Sequence, residues 1–368
     1  MKQKHTRDTI QADALKIALM HKRCGLALSM GVGKTLIGLK YIDYFQKANM
    51  NKLRVLVVAP KLSIFESWKD DASKFGISID NIEFTTYLSI NKANPHYYDL
   101  VILDECHSLL DSHETFLANY RGRILGLSGT PPRYVTSEKG QMVRKYCPVV
   151  YNYITDDAIN DSILNDYKII IHKMPLSNSD NIPVTIKSKN SVFYTSEKKN
   201  YDYWTKRILE AQSKKQEQIA SVMRMRAMMD YKTKEKYTIE LIDGMEQKCI
   251  IFCNSQAQAD KIYPYSVHSE NPNSEENLEL FKQDKIEILS CVLQLNEGVN
   301  IPNLKCGIIM HAYGNERKTS QRIGRLLRLN PEEVAIIHIL CYKDTVDERW
   351  INEALKDLDQ TKIKYIDV

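Results

Sequence analysis

The segment Ser29–Thr35, with the sequence SMGVGKT, is the most informative part of this chain. Its glycines let backbone N–H groups turn inward around a phosphate, and Lys34 can reach the β- and γ-phosphates. The Thr35 hydroxyl is a suitable ligand for Mg²⁺. An apolar run, Gly25–Leu28, precedes the segment, and a helical pattern, LIGLKYIDYF, follows it. This order predicts a strand, a phosphate-binding loop and a helix whose positive end faces the phosphates.

The loop departs from the full pattern GxxxxGK[ST] at one position, where Leu28 stands in place of the first glycine. A chance GxGKT turn is therefore the alternative to a phosphate site, and the rest of the chain has to decide between them. The residues of this segment that we predict to bind nucleotide are Met30, Gly31, Val32, Gly33, Lys34 and Thr35.

An acidic pair, Asp104-Glu105, follows the apolar segment Leu100–Leu103 further along the chain. A carboxylate at the end of a parallel strand is where a Mg²⁺ ligand belongs in a nucleotide-binding α/β sheet. We expect Asp104 to hold the metal, directly or through water, and Glu105 to orient and deprotonate the attacking water. In isolation such a pair is more often a surface-loop feature, but its position after a phosphate loop and a buried strand favours the metal site.

Composition excludes several classes of protein. The chain has 368 residues, 43% of them hydrophobic and 26% charged, which suits about two domains of a soluble protein. No apolar run approaches a membrane span, and the first residues lack the apolar core of a signal peptide, so we expect a cytoplasmic protein. Eight singly scattered cysteines support neither a zinc site nor a disulfide framework. The net charge of +5 permits nucleic-acid binding without requiring it.

Short β-branched runs alternate with helical segments, which predicts an α/β fold with largely parallel sheets. Most of these runs are continuously apolar, as expected for strands covered on both faces. In the first half they are Leu53–Ala59, Ile82–Tyr87, Leu100–Asp104 and Ile124–Ser128. In the second half they are Cys249–Cys253, Tyr265–His268, Ile286–Cys291, Gly307–His311 and Val334–Tyr342.

The amino-acid composition changes between the two halves of the chain. Residues 177–183, SNSDNIP, are typical of a loop, and about residues 196–246 are helical in composition and rich in Lys, Arg, Tyr and Met. The basic and aromatic residues of the helical segment could follow a phosphate backbone and stack on bases. A solvated helical face with methionines on the packing side explains the same composition. We favour packing for the methionines and leave Arg224 and Arg226 open.

The order of the motifs resembles that of the superfamily 2 helicases and translocases. The phosphate loop and DECH are followed by SGT at 128–130 and by QRIGRLLR at 321–328. The resemblance extends from about Gln11 to Glu348. It implies an α/β fold of two tandem RecA-like domains with mainly parallel sheets, plus a helical insertion at the start of the second. The implied domains are residues 1–168, carrying the phosphate loop, DECH and SGT, and residues 169–368, including the helical segment.

Finer details resemble two subgroups of that superfamily. The segments VVAPKLSIFESWKDDASKF at 57–75 and DTVDERW at 344–350 resemble SWI/SNF-type double-stranded DNA translocases. The segment FTTY at 84–87 resembles the TTY before their DExH strand. The segment EGVNIPNL at 297–304 resembles motif V of compact phage branch-migration helicases. A DEAD-box RNA helicase is a poorer match, because DECH replaces DEAD and SGT replaces SAT.

The resemblance also implies roles for individual residues. Gln11 would read adenine, although Arg7 stands four residues before it where the family often has an arginine three before. Ser128 and Thr130 would couple hydrolysis to the nucleic-acid site. The second domain would contribute Gly298 to the nucleotide site, Gln321 near the γ-phosphate, and Arg325 and Arg328 as arginine fingers. The implied nucleic-acid contacts are Lys61, Thr86, Asn254 and Asn300, joined by Arg224 and Arg226 of the helical segment.

These features predict an ATPase that uses Mg²⁺ and ATP to move on, and unwind or remodel, duplex, forked or branched DNA. Contacts to the backbone rather than to bases predict no base specificity. Alternatives are an RNA helicase or RNA-activated ATPase, the motor subunit of a restriction or defence complex, and a binding module that uses ATP as a switch. We expect a monomer or a complex with a small partner protein, and the residue bias suggests a phage or other mobile element as the source.

Overall fold

The chain forms two compact α/β units. The computed structural model describes residues 5–29, 31–49, 53–132, 134–186, 191–292, 301, 303–311, 334–356 and 358–368. One unit contains the described residues up to Asp166, and the other contains those from Tyr167 onward.

The sheet of the first unit has six strands, all parallel, in the order β3-β2-β4-β5-β1-β6. The central strands β2, with the sequence VLVVA, and β4, with the sequence LVILD, are buried along their whole length. Continuous apolar runs of this kind are covered by helices on both faces of a parallel sheet. The strands are β1 Arg23–Leu28, β2 Val55–Ala59, β3 Ile82–Thr86, β4 Leu100–Asp104, β5 Arg123–Ser128 and β6 Val149–Tyr153.

Local signals set the ends of the helices in the first unit. Thr6 caps the first helix reciprocally with Thr9, and Ser137 caps the fifth through the backbone N–H of Gly140. Gly76 ends the third helix in the left-handed conformation that glycine adopts without strain. The helices are α1 Arg7–Leu19, α2 Lys34–Ala48, α3 Ile64–Phe75, α4 Glu114–Asn119, α5 Glu138–Tyr146 and α6 Thr155–Asn160.

The sheet of the second unit has seven strands in the order β11-β12-β10-β13-β14-β7-β15. Its core strand β10, with the sequence CIIFC, is fully buried and pairs in parallel with β12 and β13. A separate antiparallel hairpin, β8-β9, precedes the helical segment. The strands are β7 Asp166–Met174, β8 Ile182–Ile186, β9 Ser191–Thr195, β10 Cys249–Cys253, β11 Ser266–Val267, β12 Ile288–Val292, β13 Cys306–Ile309, β14 Val334–Tyr342 and β15 Ile363–Asp367.

Three consecutive helices, α7 to α9, form the helical segment of the second unit, and buried polar groups attach them to it. The Glu197 carboxylate, which is 0% exposed, accepts bonds from the backbone N–H groups of Ser177 and Thr233. The buried Lys234 ammonium pairs with the buried Asp347 carboxylate. Removing one partner of such a pair would leave an uncompensated charge. The helices are α7 Glu197–Leu209, α8 Lys214–Asp230, α9 Lys232–Asp243, α10 Gln256–Ile262, α11 Ser274–Lys282 and α12 Val346–Leu355.

The predicted fold class is confirmed: both units are α/β domains with mainly parallel sheets, and helices are inserted early in the second. The sequence missed β6, β7, β15 and the hairpin β8-β9. Lysines interrupt the apolar residues of β7 and β15, and four of the five residues of β9 are exposed, so these strands lack the continuous apolar run of a buried strand. Within the described ranges, no helix is both long and apolar enough to cross a membrane.

A buried histidine of the second unit, His172, makes the stability of that unit depend on pH. His172 of β7 is 3% exposed, and its ring nitrogens lie 2.7 Å from the Tyr237 hydroxyl and 2.8 Å from Nδ1 of His338. Burial, helped by His338, lowers the pKa of His172 from 6.5 to about 4. At pH values between these two pKa values, His172 is therefore protonated in the unfolded chain and neutral in the folded unit.

We predict that the free energy of unfolding falls as the pH drops through about 6.5 towards 4, because the unfolded state then binds more protons. His172→Gln, which keeps a neutral polar group at this position, should remove about 1–2 kcal/mol of the fall between pH 7.5 and pH 5. Urea unfolding at both pH values measures the difference. The exposed His96 provides the control His96→Gln, and an identical pH dependence in all three proteins would contradict the prediction.

Candidate nucleotide site

Three parallel strands of the first unit bring the sequence motifs to one edge of the sheet. The phosphate loop follows β1, the DECH segment begins at the end of β4, and the SGT segment begins at the end of β5. Strand β5 lies between the other two, with Ala27 of β1 opposite Ser128 and Asp104 of β4 opposite Leu127. Because carboxyl ends of parallel strands share an edge, the motifs meet there although they are far apart in the chain.

The phosphate loop has the backbone that its glycines permit. Gly31 and Gly33 have φ values of 80° and 94°, in the left-handed region that favours glycine. Gly33 caps α2 without a side-chain acceptor, and Lys34 is the first residue of that helix. The first N–H groups of α2 therefore have no intrahelical carbonyl partner, and the helix dipole adds positive potential there. This is an anion-binding arrangement.

Helix α1 contacts the phosphate loop through two side chains one turn apart. Nε2 of Gln11 donates to the Val32 carbonyl oxygen over 2.7 Å, and Nε of Arg7 donates to the same oxygen over 3.2 Å. The Gln11 Oε1 atom accepts from Nζ of Lys40 on α2 at 3.2 Å. Gln11 is 2% exposed. The spacing of four residues from Arg7 to Gln11 thus puts both on one face of α1.

The Asp104 carboxylate is almost fully buried, at 5% exposure, and each of its oxygens has a donor. The indole Nε1 of Trp68 donates to Oδ2 over 2.8 Å, and the backbone N–H of Glu105 donates to Oδ1 over 3.0 Å. The Tyr87 hydroxyl donates to the Asp104 carbonyl oxygen at 3.0 Å. Burial and the neighbouring Glu105 charge raise the pKa of Asp104 above its usual value. The strand end is thereby held in one conformation.

Trp68 is the largest fully buried side chain among the described residues and lies between α2 and Asp104. A Cβ added to Gly38 of α2 would lie 2.5 Å from the Trp68 ring, so only glycine permits this approach. The tryptophan therefore connects the helix after the phosphate loop with the acidic strand end. A buried indole N–H normally has a hydrogen-bond acceptor, and Asp104 is that acceptor.

Glu105 has the strained backbone of a functional position. Its φ of 49° and ψ of 52° are left-handed, which is uncommon for a residue with a side chain. Burial disfavours its charge, but the His107 contact and the Lys34 ammonium outweigh burial and lower the pKa of Glu105. Oε2 lies 3.2 Å from Nδ1 of His107. The structure therefore favours a charged carboxylate at this position.

A short polar chain joins the DECH and SGT segments. Nδ1 of His107 lies 2.9 Å from Oγ of Ser128, and the backbone N–H of Thr130 donates to the same Oγ over 3.1 Å. His107 and Ser128 are both buried, at 7% and 1% exposure. The same ring nitrogen, Nδ1 of His107, therefore lies close to both the Glu105 carboxylate and the Ser128 hydroxyl.

The predicted nucleic-acid residues of the first unit lie at the same edge of the sheet. Thr86 ends β3 opposite Ala59 of β2, and the exposed Lys61 follows two residues after Ala59. In the second unit, Asn254 follows β10, and its backbone N–H donates to Gln258 Oε1 over 2.9 Å. Its half-buried side chain lies at the carboxyl end of that strand.

Arg224 and Arg226 are in different environments. The Arg224 guanidinium donates to the Thr205 hydroxyl over 3.0 Å and lies 5.3 Å from the centre of the Tyr201 ring. Its contacts are within the helical segment, so packing accounts for Arg224. Arg226 is exposed, and within the described part of the chain it forms no ion pair. Met228 and Met229 are buried, as predicted, whereas Met223 is 37% exposed.

Several predicted site residues lie outside the described residues. They are Met30 of the phosphate loop and, in the second half of the chain, Gly298, Asn300, Gln321, Arg325 and Arg328. Their roles stay predictions.

The loop, the acidic pair and the sheet edge together define a nucleotide-binding α/β protein of the P-loop class. Two family models match the chain in the predicted order. Residues 3–133 match the model described as type III restriction enzyme, res subunit, and residues 233–330 match the helicase conserved C-terminal domain. The DNA 3′-5′ translocase XPB2 of Sulfurisphaera tokodaii is 24% identical, covering 92% of this chain and 82% of that protein.

Solved structures show the same fold. The ATP-dependent type ISP restriction-modification enzyme LlaBIII bound to DNA has a TM-score of 0.63 at 15% identity, and it covers all of this chain. The chain spans 31% of that enzyme. A putative HsdR subunit fragment of a type I restriction enzyme from Vibrio vulnificus has a TM-score of 0.61 at 17% identity, covering 99% of this chain and 70% of the fragment. The chain is a superfamily 2 helicase or translocase, as its motif order predicted.

Sequence reasoning missed three side chains that complete the site: Trp68, Tyr87 and His107. Each lies within a segment that resembles the helicase family, but the residue type alone does not indicate its role in the site. Their partners lie on other elements and become visible only in the folded chain. The sequence did offer one signal for this contact. A tryptophan on a helix that follows a parallel strand is expected to be buried, and a buried indole N–H needs a hydrogen-bond acceptor.

We predict that Trp68→Phe weakens the site, because it removes the hydrogen bond to a buried carboxylate while keeping an aromatic ring. The lost bond corresponds to about 1.5–3 kcal/mol of unfolding free energy. ATP hydrolysis should need a higher Mg²⁺ concentration for half-maximal rate, by roughly tenfold or more. Denaturant unfolding and Mg²⁺ titration of the hydrolysis rate measure the two effects. The matched control is Trp204→Phe in the helical segment, and equal behaviour of the two variants would contradict the prediction.

Proposed function

We propose that this chain is an ATP-dependent DNA translocase or helicase that hydrolyses Mg-ATP when DNA is bound. The observation that carries the proposal is the polar chain from Glu105 through His107 to Ser128 at the phosphate-loop edge of the sheet. It joins the group suited to activating water to the segment suited to reporting on nucleic acid.

The residues present fit Mg-ATP. Superfamily 2 helicases use ATP, and the donors offered here for a metal are the Thr35 hydroxyl and the Asp104 carboxylate, which are the hard oxygen ligands that Mg²⁺ prefers. Each Asp104 oxygen accepts one hydrogen bond and keeps a further lone pair for the metal or for a water bound to it. Bound Mg²⁺ would neutralise charge on the β- and γ-phosphates, and Lys34 would bind the same oxygens.

Glu105 would orient the attacking water and accept its proton. A charged carboxylate is the form that can accept a proton, and its lowered pKa keeps it in that form at neutral pH. The Glu105 backbone is left-handed, and the contact with Nδ1 of His107 limits the positions that the carboxylate can take. In this proposal Gln321, Arg325 and Arg328, in the second half of the chain, stabilise the charge that develops on the γ-phosphoryl group.

DNA is the polymer we propose, in duplex, forked or branched form. The support is the relative named as a DNA 3′-5′ translocase, and we propose the same direction here. The exposed Lys61 and the strand-end Thr86 would contact the phosphate backbone, together with Asn254, Asn300 and Arg226 from the second half of the chain. Backbone contacts position the protein without reading sequence. We further propose a DExH-type protein of phage origin that acts in the cytoplasm as a monomer or with a small partner.

A second candidate function is the motor subunit of a restriction complex. It is supported by the model of the type III restriction enzyme res subunit, which matches residues 3–133. In both cases the ATPase motor is the same, and only the partner differs. An RNA-activated ATPase is an outcome that the experiment below would detect.

We predict that DNA stimulates Mg-ATP hydrolysis and that Glu105→Gln abolishes the stimulated rate while ATP binding is retained. Glutamine has the same size as glutamate and leaves the phosphate loop unchanged, but its amide cannot accept the proton of the attacking water. Phosphate release with single-stranded, duplex and forked DNA and with structured RNA measures the rate, and the loss should be about a hundredfold or more.

The matched control is Glu66→Gln, at an exposed position on α3 where the same change should leave the rate unaltered. Stimulation by RNA alone would move the protein to the RNA-activated class. No turnover with any polymer would contradict an autonomous motor.

We predict that Arg325→Ala also retains ATP binding and loses about a thousandfold in polymer-stimulated hydrolysis, because a guanidinium at the γ-phosphate is worth that much in related phosphoryl transfers. Arg349→Ala, at an exposed position of α12, is the control. Single-turnover hydrolysis with saturating ATP separates chemistry from binding. An unchanged rate constant in Arg325→Ala would exclude it as an arginine finger.

A further inference from the structure

Two leucines are exposed at the edge of the first sheet where the predicted nucleic-acid contacts lie. Leu62 is 70% exposed and Leu88 is 91% exposed, although a leucine side chain gains free energy by leaving water. Leu62 follows β2 and Leu88 follows β3, and these two strands are adjacent and parallel. Single exposed leucines are common on protein surfaces, but two on neighbouring loops beside predicted DNA contacts indicate a contact surface.

Hydrogen bonds fix the backbone of both loops. The Leu62 carbonyl oxygen accepts from the N–H group of Phe65 over 3.0 Å at the start of α3. The N–H group of Ser89 donates to the Thr86 carbonyl oxygen over 2.9 Å, which closes a tight turn that contains Leu88. The two leucine side chains are therefore held at defined places on the surface, close to the ends of their strands.

Each leucine lies next to a residue that we predict to contact phosphate. The exposed Lys61 directly precedes Leu62, and Thr86 lies two residues before Leu88. The exposed Lys92 adds positive charge four residues after Leu88. A nucleic-acid backbone alternates anionic phosphates with sugars, so a surface that follows the backbone meets both groups in turn. Lysine and threonine suit the phosphates, and leucine suits the carbon atoms of a sugar.

The sugar is the part of the backbone in which DNA and RNA differ. Deoxyribose has only a methylene group at its 2′ position, whereas ribose has a hydroxyl group there that both donates and accepts hydrogen bonds. A leucine packed against this position would bury the methylene group of DNA favourably. It would remove the RNA hydroxyl from water without offering a hydrogen bond, which is unfavourable.

We propose, on the basis of the proposed function, that Leu62 and Leu88 make the chain selective for DNA over RNA. They pack against deoxyribose beside the phosphates that Lys61 and Thr86 contact. The two leucines thus determine which polymer is bound, whereas the lysine contributes affinity that DNA and RNA share.

Equilibrium binding of the full chain to labelled DNA and RNA of one sequence, each single-stranded and duplex, tests the proposal. The wild type should prefer DNA by roughly tenfold or more in each form that it binds. The double variant Leu62→Ser, Leu88→Ser should lose roughly tenfold in affinity for DNA and less than about threefold for RNA, so that most of the preference disappears. Both side chains are exposed, so the substitutions leave the core intact.

Three results would overturn the inference and leave the proposed DNA-dependent ATPase intact. They are a wild type that binds DNA without preferring it to RNA, a double variant with an unchanged preference, and an equal loss of affinity for both polymers. No binding of either polymer would contradict both the inference and the proposed function.

The salt dependence of binding separates apolar contacts from ionic ones. Lys61→Ala should weaken the binding of both polymers and reduce the slope of log affinity against log salt concentration by about one unit. The double leucine variant should keep the wild-type slope, because it loses no phosphate contact, and a reduced slope would overturn the inference. The control is Met20→Ser. Met20 is 75% exposed and precedes β1 at the opposite edge of the same sheet, so both affinities should stay unchanged.

Discussion

The hydrogen bond from Trp68 to Asp104 organises the nucleotide-binding unit. A carboxylate that is 5% exposed has to be paired, and this one is paired by an indole from α3 and a backbone N–H at its own strand end. Trp68 reaches it only because Gly38 of α2 has no side chain. One polar contact therefore fixes the acidic strand end relative to the helix after the phosphate loop.

The other site contacts extend from this point along the sheet edge. Glu105 follows Asp104 in a left-handed backbone conformation. Nδ1 of His107 lies close to the Glu105 carboxylate and also to the Ser128 hydroxyl. On the far side of the phosphate loop, α1 holds the Val32 carbonyl through Arg7 and Gln11. The parallel register of β4, β5 and β1 is what allows residues from distant parts of the sequence to meet at this edge of the sheet.

The sequence predicted those features that depend on local pattern. The continuously apolar runs VLVVA, LVILD and CIIFC are strands, and the loop glycines have the positive φ values that phosphate binding requires. Features that depend on tertiary partners were not predictable. The strand β7 is interrupted by lysines, Arg224 is directed into its own helical segment, and the amide of Gln11 donates to the Val32 carbonyl oxygen. The residue types indicated which side chains could bind or react. Their hydrogen-bond partners depend on how separate helices and strands pack together, and the spacing of residues in the sequence does not show this.

In the function that we propose, ATP hydrolysis moves this chain along duplex DNA, and displacement of a triplex-forming third strand measures that movement directly. A duplex carrying the third strand at one end, with the protein loaded at the other, should release the strand only with hydrolysable ATP and Mg²⁺. Release should be delayed in proportion to the distance between loading site and triplex. If DNA stimulates hydrolysis fully but the third strand is never displaced and forked DNA is never unwound, the chain is a DNA-activated ATPase without translocation, and the proposed function is contradicted.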